Sequence, residues 1–159
     1  MLACGNIWAY IVAMSDAPFA AVLNLLDAHA RLEERFAGAL GSVHGLALKE
    51  VLLMMHLERA PLRRLSRVDL ARRLHVSPST VTRLANPLEK LGRVGREPDP
   101  RDARLTYVVL TEAGQQLLTD AQKTLERLAA DTFRDRWTQA EIATLAGLTG
   151  RLTDGGLAP

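Results

Sequence analysis

Three residues, Leu74-His75-Val76, lie between two short amphipathic stretches, and this spacing constrains the chain more than any other feature. On the N-terminal side, Val68, Leu70, Ala71 and Leu74 put apolar groups on one helical face. Ser66 and Asp69 open that stretch at capping-box spacing, with Asp in place of the usual Glu. On the other side, Ser77 supplies a new N-cap and Pro78 the first helical position. Two helices joined by so short a turn have the spacing of a helix-turn-helix. His75 is expected to take a left-handed conformation in the turn, which His tolerates better than most residues.

The second of these helices sorts cleanly on a wheel at ~100° per residue. Val81, Leu84, Leu88 and Leu91 form its apolar stripe, while Ser79, Thr82, Arg83, Asn86 and Lys90 occupy the opposite face. That outer face holds only hydrogen-bonding and cationic groups, where an ordinary solvated helix carries Glu–Lys pairs. Gly92 ends the helix. Val94 to Glu97 and the alternating Leu105, Tyr107 and Val109 then read as two short strands, joined by the charged loop Pro98-Asp-Pro-Arg-Asp-Ala103. A β-hairpin after a helix-turn-helix is a wing.

Helices flank this core on both sides. Asp16 caps a helix with Pro18 in its first turn, carried by Phe19, Val22, Leu23, Leu26, Ala30 and Phe36 and ended at Gly41, with Gly45 just after. From about Ala47 to Arg59 a second helix is apolar almost all round, which marks it as the buried centre, and Pro61 closes it. Thr111 caps a long helix with a seam at Leu118, Ala121, Leu125, Leu128 and Thr132. Thr138 and Glu141 form a further capping box, before a stripe of Ile142, Leu145, Leu148 and Leu152. The fold class is therefore mainly α with a small β wing.

Charge singles out the same middle segment. Between Arg59 and Arg104 there are 12 Lys+Arg against 5 Asp+Glu, a net of +7, while the remainder holds 8 against 13, a net of −5. A basic centre between acidic flanks fits a polyanionic partner, and the plainer alternative is a solvated basic surface. Enzyme signatures are missing: there is no P-loop, no G-x-S-x-G and no H-E-x-x-H. His29, His44, His56 and His75 are spaced by 15, 12 and 19 residues, which matches no local metal motif, so neither metal nor cofactor is expected. The single cysteine, Cys4, fits a reducing compartment, and a cytoplasmic location is expected. Met1–Ala13 is apolar but shorter than the roughly 20 residues that span a bilayer, and no membrane role is expected. It reads either as an upstream extension with a misassigned start or as a short helix packing on a partner subunit.

The stretch Leu70 to Gly114, LARRLHVSPSTVTRLANPLEKLGRVGREPDPRDARLTYVVLTEAG, resembles the MarR family of bacterial transcriptional regulators. Its most specific parts are the D-P-R-D-A-R wing, Asp99 to Arg104, and the L-T-E-A-G that follows, Leu110 to Gly114. The helix order on both sides agrees, so the likeness covers roughly residues 16 to 153. It implies an obligate homodimer with residues 16–45 and 111–153 as dimerisation helices and 46–110 as a winged helix-turn-helix lobe. Residues 1–15 form the N-terminal extension and 154–159 a tail. It also implies a regulator of promoters, commonly a repressor, released from double-stranded DNA by a small, often phenolic effector or by an oxidant. Two departures stand out. Pro87 lies inside the recognition helix, where it removes the N–H that would bond the carbonyl of Arg83. Ala103 stands where many relatives carry Arg or Gly.

Site residues follow from these placements. Arg83 has the fork for guanine O6 and N7, and Asn86 can make the paired bonds to adenine in the major groove. Ser77, Ser79 and Thr80 at the helix N-terminus suit phosphates, with plain capping as the alternative for Ser77. Thr82 and Lys90 complete the face. Arg101 at the wing tip is expected in the minor groove. Arg104 either joins it or braces the wing against Asp99 or Asp102, and Arg96 and Lys90 touch phosphates or nothing. An effector cleft would be lined by Phe36, His44, Met54 and Met55, although Met and Phe at helical spacing are more often plain core. A two-fold dimer implies a pseudo-palindromic operator with half-sites ~10 bp apart. Two other functions stay open: a winged-helix interaction module without specific DNA binding, and a redox-responsive regulator using Cys4.

Overall fold

The computed structural model describes residues 16–100, 102 and 105–152. Its elements run α1 (Ala17–His44), α2 (Leu48–Glu58), a single 3-10 turn (Pro61–Arg63), β1 (Arg64–Ser66), α3 (Arg67–Arg73), α4 (Pro78–Lys90), β2 (Val94–Pro98), β3 (Thr106–Leu110), α5 (Glu112–Phe133) and α6 (Gln139–Leu152). The expected mainly α chain with a small wing is what forms.

The buried centre is α2, as its apolar circumference requires. Val51, Leu53, Met54 and Leu57 are fully enclosed, with α1, α3, α4, α5 and the sheet packed around them. Its N-terminus is closed by Glu50, whose carboxylate accepts the Ala47 N–H at 2.8 Å. The first helix continues past Gly41 and stops at Gly45. There φ is +65°, and the Gly45 and Leu46 N–H groups bond back to Gly41 and Leu40. Only the second glycine adopts the left-handed turn that ends a helix, and Gly41 stays helical. Asp16 stands at the N-cap position of α1, with no cap bond from its side chain.

The sheet is antiparallel in the order β1-β3-β2. β2 and β3 form the wing, with Val94 opposite Leu110 and Pro98 opposite Thr106. The sequence reading missed β1, which is only three residues long and follows Leu62 and Arg63, both at positive φ. It pairs Leu65 with Val108 and Ser66 with Tyr107, which ties the start of the helix-turn-helix to the wing.

Gly114 fixes how α5 meets the wing. A Cβ there would lie 1.9 Å from the Arg93 carbonyl oxygen, so only glycine allows this approach. Thr111 locks the junction, donating to the carbonyls of Gly92 and Arg93 while capping the Gly114 N–H at 3.0 Å. The long helix then runs back along α1, joined by His44 Nε2 to Thr124 Oγ1 at 2.9 Å and by Arg35 to Thr132 at 3.2 Å. Along the seam, Leu118 and Ala121 are buried with Thr124, whereas Leu125, Leu128 and Thr132 are half-buried. No residue of α6 is buried: Ile142 and Leu145 are half-covered, Leu148 and Leu152 exposed.

Candidate nucleic-acid interface

The helix-turn-helix is built by side-chain caps at both helix starts. Ser66 Oγ accepts the Asp69 N–H at 3.1 Å and donates to the Asp69 carboxylate at 2.7 Å. At the other end of α3, His75 takes φ +52°, the left-handed position usually given to glycine. The Val76 N–H reaches the Ala71 carbonyl at 3.0 Å, and the His75 N–H that of Arg72. The chain thus turns in the space the sequence allots to it. Ser77 Oγ then accepts the Thr80 N–H at 3.2 Å and starts α4.

Recognition-helix residues divide as a two-faced helix should. Val81, Ala85 and Leu88 are buried. Leu91, assigned to the inner stripe from sequence, is instead 69 % exposed, because the helix ends one residue earlier and Ala85 takes the packing position. Ser79, Arg83, Asn86 and Lys90 are exposed, and Thr82 is half-exposed on their flank. Pro87 interrupts neither the helix, which runs on to Lys90, nor the core, since it sits on the exposed face. There water can hydrogen-bond the Arg83 carbonyl that lacks its amide partner.

At the N-terminus of α4, three hydroxyls converge. Ser77 Oγ lies 2.8 Å from Ser79 Oγ and 3.0 Å from Thr80 Oγ1. Thr80 also accepts a bond from Arg83 Nη2 at 3.2 Å, which lays the guanidinium along the helix. Thr82 donates to the Pro78 carbonyl at 3.2 Å, leaving its oxygen as an acceptor.

Arg96 crosses from β2 to the recognition helix. Its Nε pairs with Glu89 at 2.9 Å, and its Nη2 donates to Asn86 Oδ1 at 2.9 Å. The sequence reading passed over Glu89. The available signal was that Asn86 and Glu89 are three apart on one helix, with a strand arginine following the hairpin turn. The wing base carries a second network: Tyr107 donates to Asp99 at 2.9 Å, Arg64 stacks 4.7 Å above the Tyr107 ring and bonds Glu97 at 3.3 Å. Asp99 also accepts the Asp102 N–H at 3.0 Å, so one carboxylate holds both the strand and the loop. The bond to Asp99 raises the Tyr107 hydroxyl above its usual range. Arg101 and Arg104 lie outside the described residues, as do Ala103, Cys4 and the 1–15 extension.

The four residues expected at an effector cleft differ in exposure. Met54 is wholly inside the core, Phe36, His44 and Met55 are half-buried, and the His44 ring is bonded to Thr124. A cavity of about 320 Å3 opens elsewhere, between the start of α3, α4 and the wing, lined by Ser66, Arg67, Thr82, Arg96 and Val108 among others. Among the described residues no cluster of His, Cys, Asp and Glu could hold a metal, and no single helix is long and apolar enough to cross a membrane.

Comparison with known proteins agrees with this geometry. A family model described as MarR family matches residues 44–105. An uncharacterized HTH-type transcriptional regulator of Bacillus subtilis, YcgE, is 30% identical over 86 residues, covering 54% of this chain and 55% of its own. A putative transcriptional regulatory protein for the hcr operon of Thauera aromatica is 34% identical over 88 residues, 55% of this chain and 52% of its own. The chain spans about half the length of these curated relatives. Among solved structures, Sco3205, a MarR family transcriptional regulator from Streptomyces coelicolor in complex with DNA, superposes with a TM-score of 0.74 at 26% identity. That match covers 86% of this chain and 84% of Sco3205. These relatives are transcriptional regulators and not enzymes. Across its helix-turn-helix and wing, the chain is similar to the MarR family of winged helix-turn-helix transcriptional regulators.

Proposed function

We propose that the protein works as a homodimeric, sequence-specific DNA-binding regulator in the cytoplasm, most simply a repressor relieved by a small effector. The observation that carries this reading is the exposed face of α4. Arg83, Asn86 and Lys90 project from a helix whose other side is anchored on Val81, Ala85 and Leu88. A helix fits the major groove, the one groove where every base pair is distinct. The solved relative Sco3205 was crystallised with DNA, which supports the same use here.

In this reading Arg83 leaves Thr80 and takes guanine O6 and N7, while Ser77, Ser79 and Thr80 meet phosphate beside the helix N-terminus. Arg101 enters the minor groove, with Arg104 beside it or bracing the wing. Residues 46–110 form the DNA lobe, and 16–45 with 111–153 the dimer region. Support for a second copy comes from the first half of α1, where Phe19, Val22 and Leu26 are 53 %, 51 % and 56 % exposed along one face. Monomeric proteins rarely display so continuous an apolar strip, and a two-fold mate would cover it. The effector is proposed to act where Phe36, His44 and Met55 come partly to the surface, with Met54 behind them.

Hydroxyl-radical footprinting on a selected duplex tests the proposal. Two protected half-sites centred ~10 bp apart are expected. One uninterrupted patch with no symmetry would contradict the dimeric reader, and no protection would contradict DNA binding.

A further inference from the structure

The Asn86 amide faces the solvent side of α4 with its oxygen already occupied. Arg96 Nη2 donates to Asn86 Oδ1 at 2.9 Å, and Arg96 is itself held by Glu89 through Nε at 2.9 Å. The clamp is tied down at both ends: Glu89 sits one turn along α4 from Asn86, and Arg96 lies in the wing strand, paired across to Val108. A guanidinium has donors only, so the Asn86 atom facing it must be the oxygen, and the NH2 group is the atom left for a ligand.

An asparagine reads adenine by using both ends, accepting from N6–H while donating to N7. With a cationic donor already on one lone pair of its oxygen, Asn86 is a poorer acceptor for a second N–H and offers a base chiefly its N–H donors. Adenine then presents one acceptor beside an NH2 that opposes the asparagine NH2. Cytosine presents only a donor in the major groove, and thymine one acceptor beside a methyl group. Guanine presents two adjacent acceptors, O6 and N7, and no donor on that edge to oppose the asparagine NH2.

We infer that Asn86, clamped by Arg96 and Glu89, acts toward the base as a donor and selects guanine rather than adenine in the half-site. This rests on the DNA-binding reading above and revises the adenine pairing expected from sequence. Arg96 and Glu89 are positioning residues: they set which edge of the amide is free without needing to touch the base.

Selection from a pool of random duplexes tests this with three proteins. Wild type defines the preferred site. Asn86→Ala identifies the position Asn86 reads, as the one where preference disappears while the rest is retained. Arg96→Met keeps the stem and removes the donor, freeing the Asn86 oxygen. The expected result is guanine at that position for wild type and a shift toward adenine of roughly tenfold in relative affinity for Arg96→Met. A merely structural role for Arg96 would weaken every sequence alike and leave the base preference in place, and that result overturns the inference. Adenine selected by wild type, or no position lost in Asn86→Ala, overturns it equally. A second measurement does not depend on how Arg96→Met folds. Replacing that guanine by 7-deazaguanine, which lacks the N7 acceptor, should weaken wild type several-fold and leave Asn86→Ala unchanged; equal weakening of both contradicts the inference. If wild type enriches no duplex, the DNA-binding reading fails and takes this one with it, an outcome distinct from enrichment with the wrong base.

Discussion

Single atoms decide two features that the fold depends on. At Gly114 an added methyl would meet the Arg93 carbonyl oxygen at 1.9 Å and Leu110 Cδ1 at 2.9 Å, and neither backbone nor sheet can yield that far. Gly114→Ala should therefore cost about 3 kcal/mol or more, read as a loss in urea midpoint with little change in slope. His56 is the second case. It is 4 % exposed in α2, and burial, followed by the charges of Arg73, Arg59 and His75, lowers its pKa from the ordinary 6.5. The unfolded chain thus takes up a proton near pH 6.5 while the folded one stays neutral. Above that pH the residue is without effect on the balance. Stability should fall as pH drops below about 6.5, by up to about 1.4 kcal/mol per pH unit, until the folded ring also protonates. Urea titrations of wild type and His56→Phe from pH 7.5 to 5 check this: the variant should show the shallower decline. Equal declines would exclude His56 as the source.

Among the elements, α4 combines a strong start with a weakened middle. Ser77 caps it and Pro78 begins it, yet Pro87 removes one of its internal hydrogen bonds. Pro87→Ala should stabilise the protein by about 1–2 kcal/mol, the restored bond being partly offset by a freer unfolded chain, with the reading face kept in register. Thermal melts and binding to a selected duplex measure both effects. A destabilised variant would mean that the proline is needed for the helix to seat. The elements also show what the sequence carried and what it did not. Serine caps, the proline start and the left-handed His75 are local chemistry, so the helix-turn-helix was legible residue by residue. Pairing of β1 was not, because three residues carry no alternation and their partners lie more than forty positions away. Likewise the Glu89–Arg96–Asn86 contact joins a helix to a strand across a turn, and no periodicity within either element announces it. The choice of Gly45 over Gly41 as the stop of α1 was hidden for the same reason: both are permissive, and the neighbouring fold selects between them.

At the scale of the molecule, the apolar surface is unevenly distributed. The centre around α2 is closed, while the first half of α1 and the end of α6 leave Phe19, Val22, Leu26, Leu148 and Leu152 in the open. The proposed dimer, built on these helices, would cover this strip. Wild type is expected to sediment as a dimer, and the double variant Phe19→Glu, Leu26→Glu as a monomer at the same concentration. Its melting temperature should be lower and independent of concentration. A variant that still dimerises would move the interface elsewhere. The charge pattern belongs to this scale too, since the +7 segment between Arg59 and Arg104 falls within the proposed DNA lobe, residues 46–110.

The central claim is that α4 reads base sequence, and fluorescence anisotropy tests it most directly. The probes are a duplex enriched from promoter DNA and its scrambled counterpart of equal length, at two salt concentrations, with wild type and Arg83→Ala. Wild type should bind the enriched duplex tighter by roughly 10³-fold or more, with affinity falling steeply as salt rises. Arg83→Ala should lose roughly tenfold or more on that duplex and little on the scrambled one. Equal binding of both duplexes by wild type, or an Arg83→Ala protein that discriminates as well as wild type, would contradict the account.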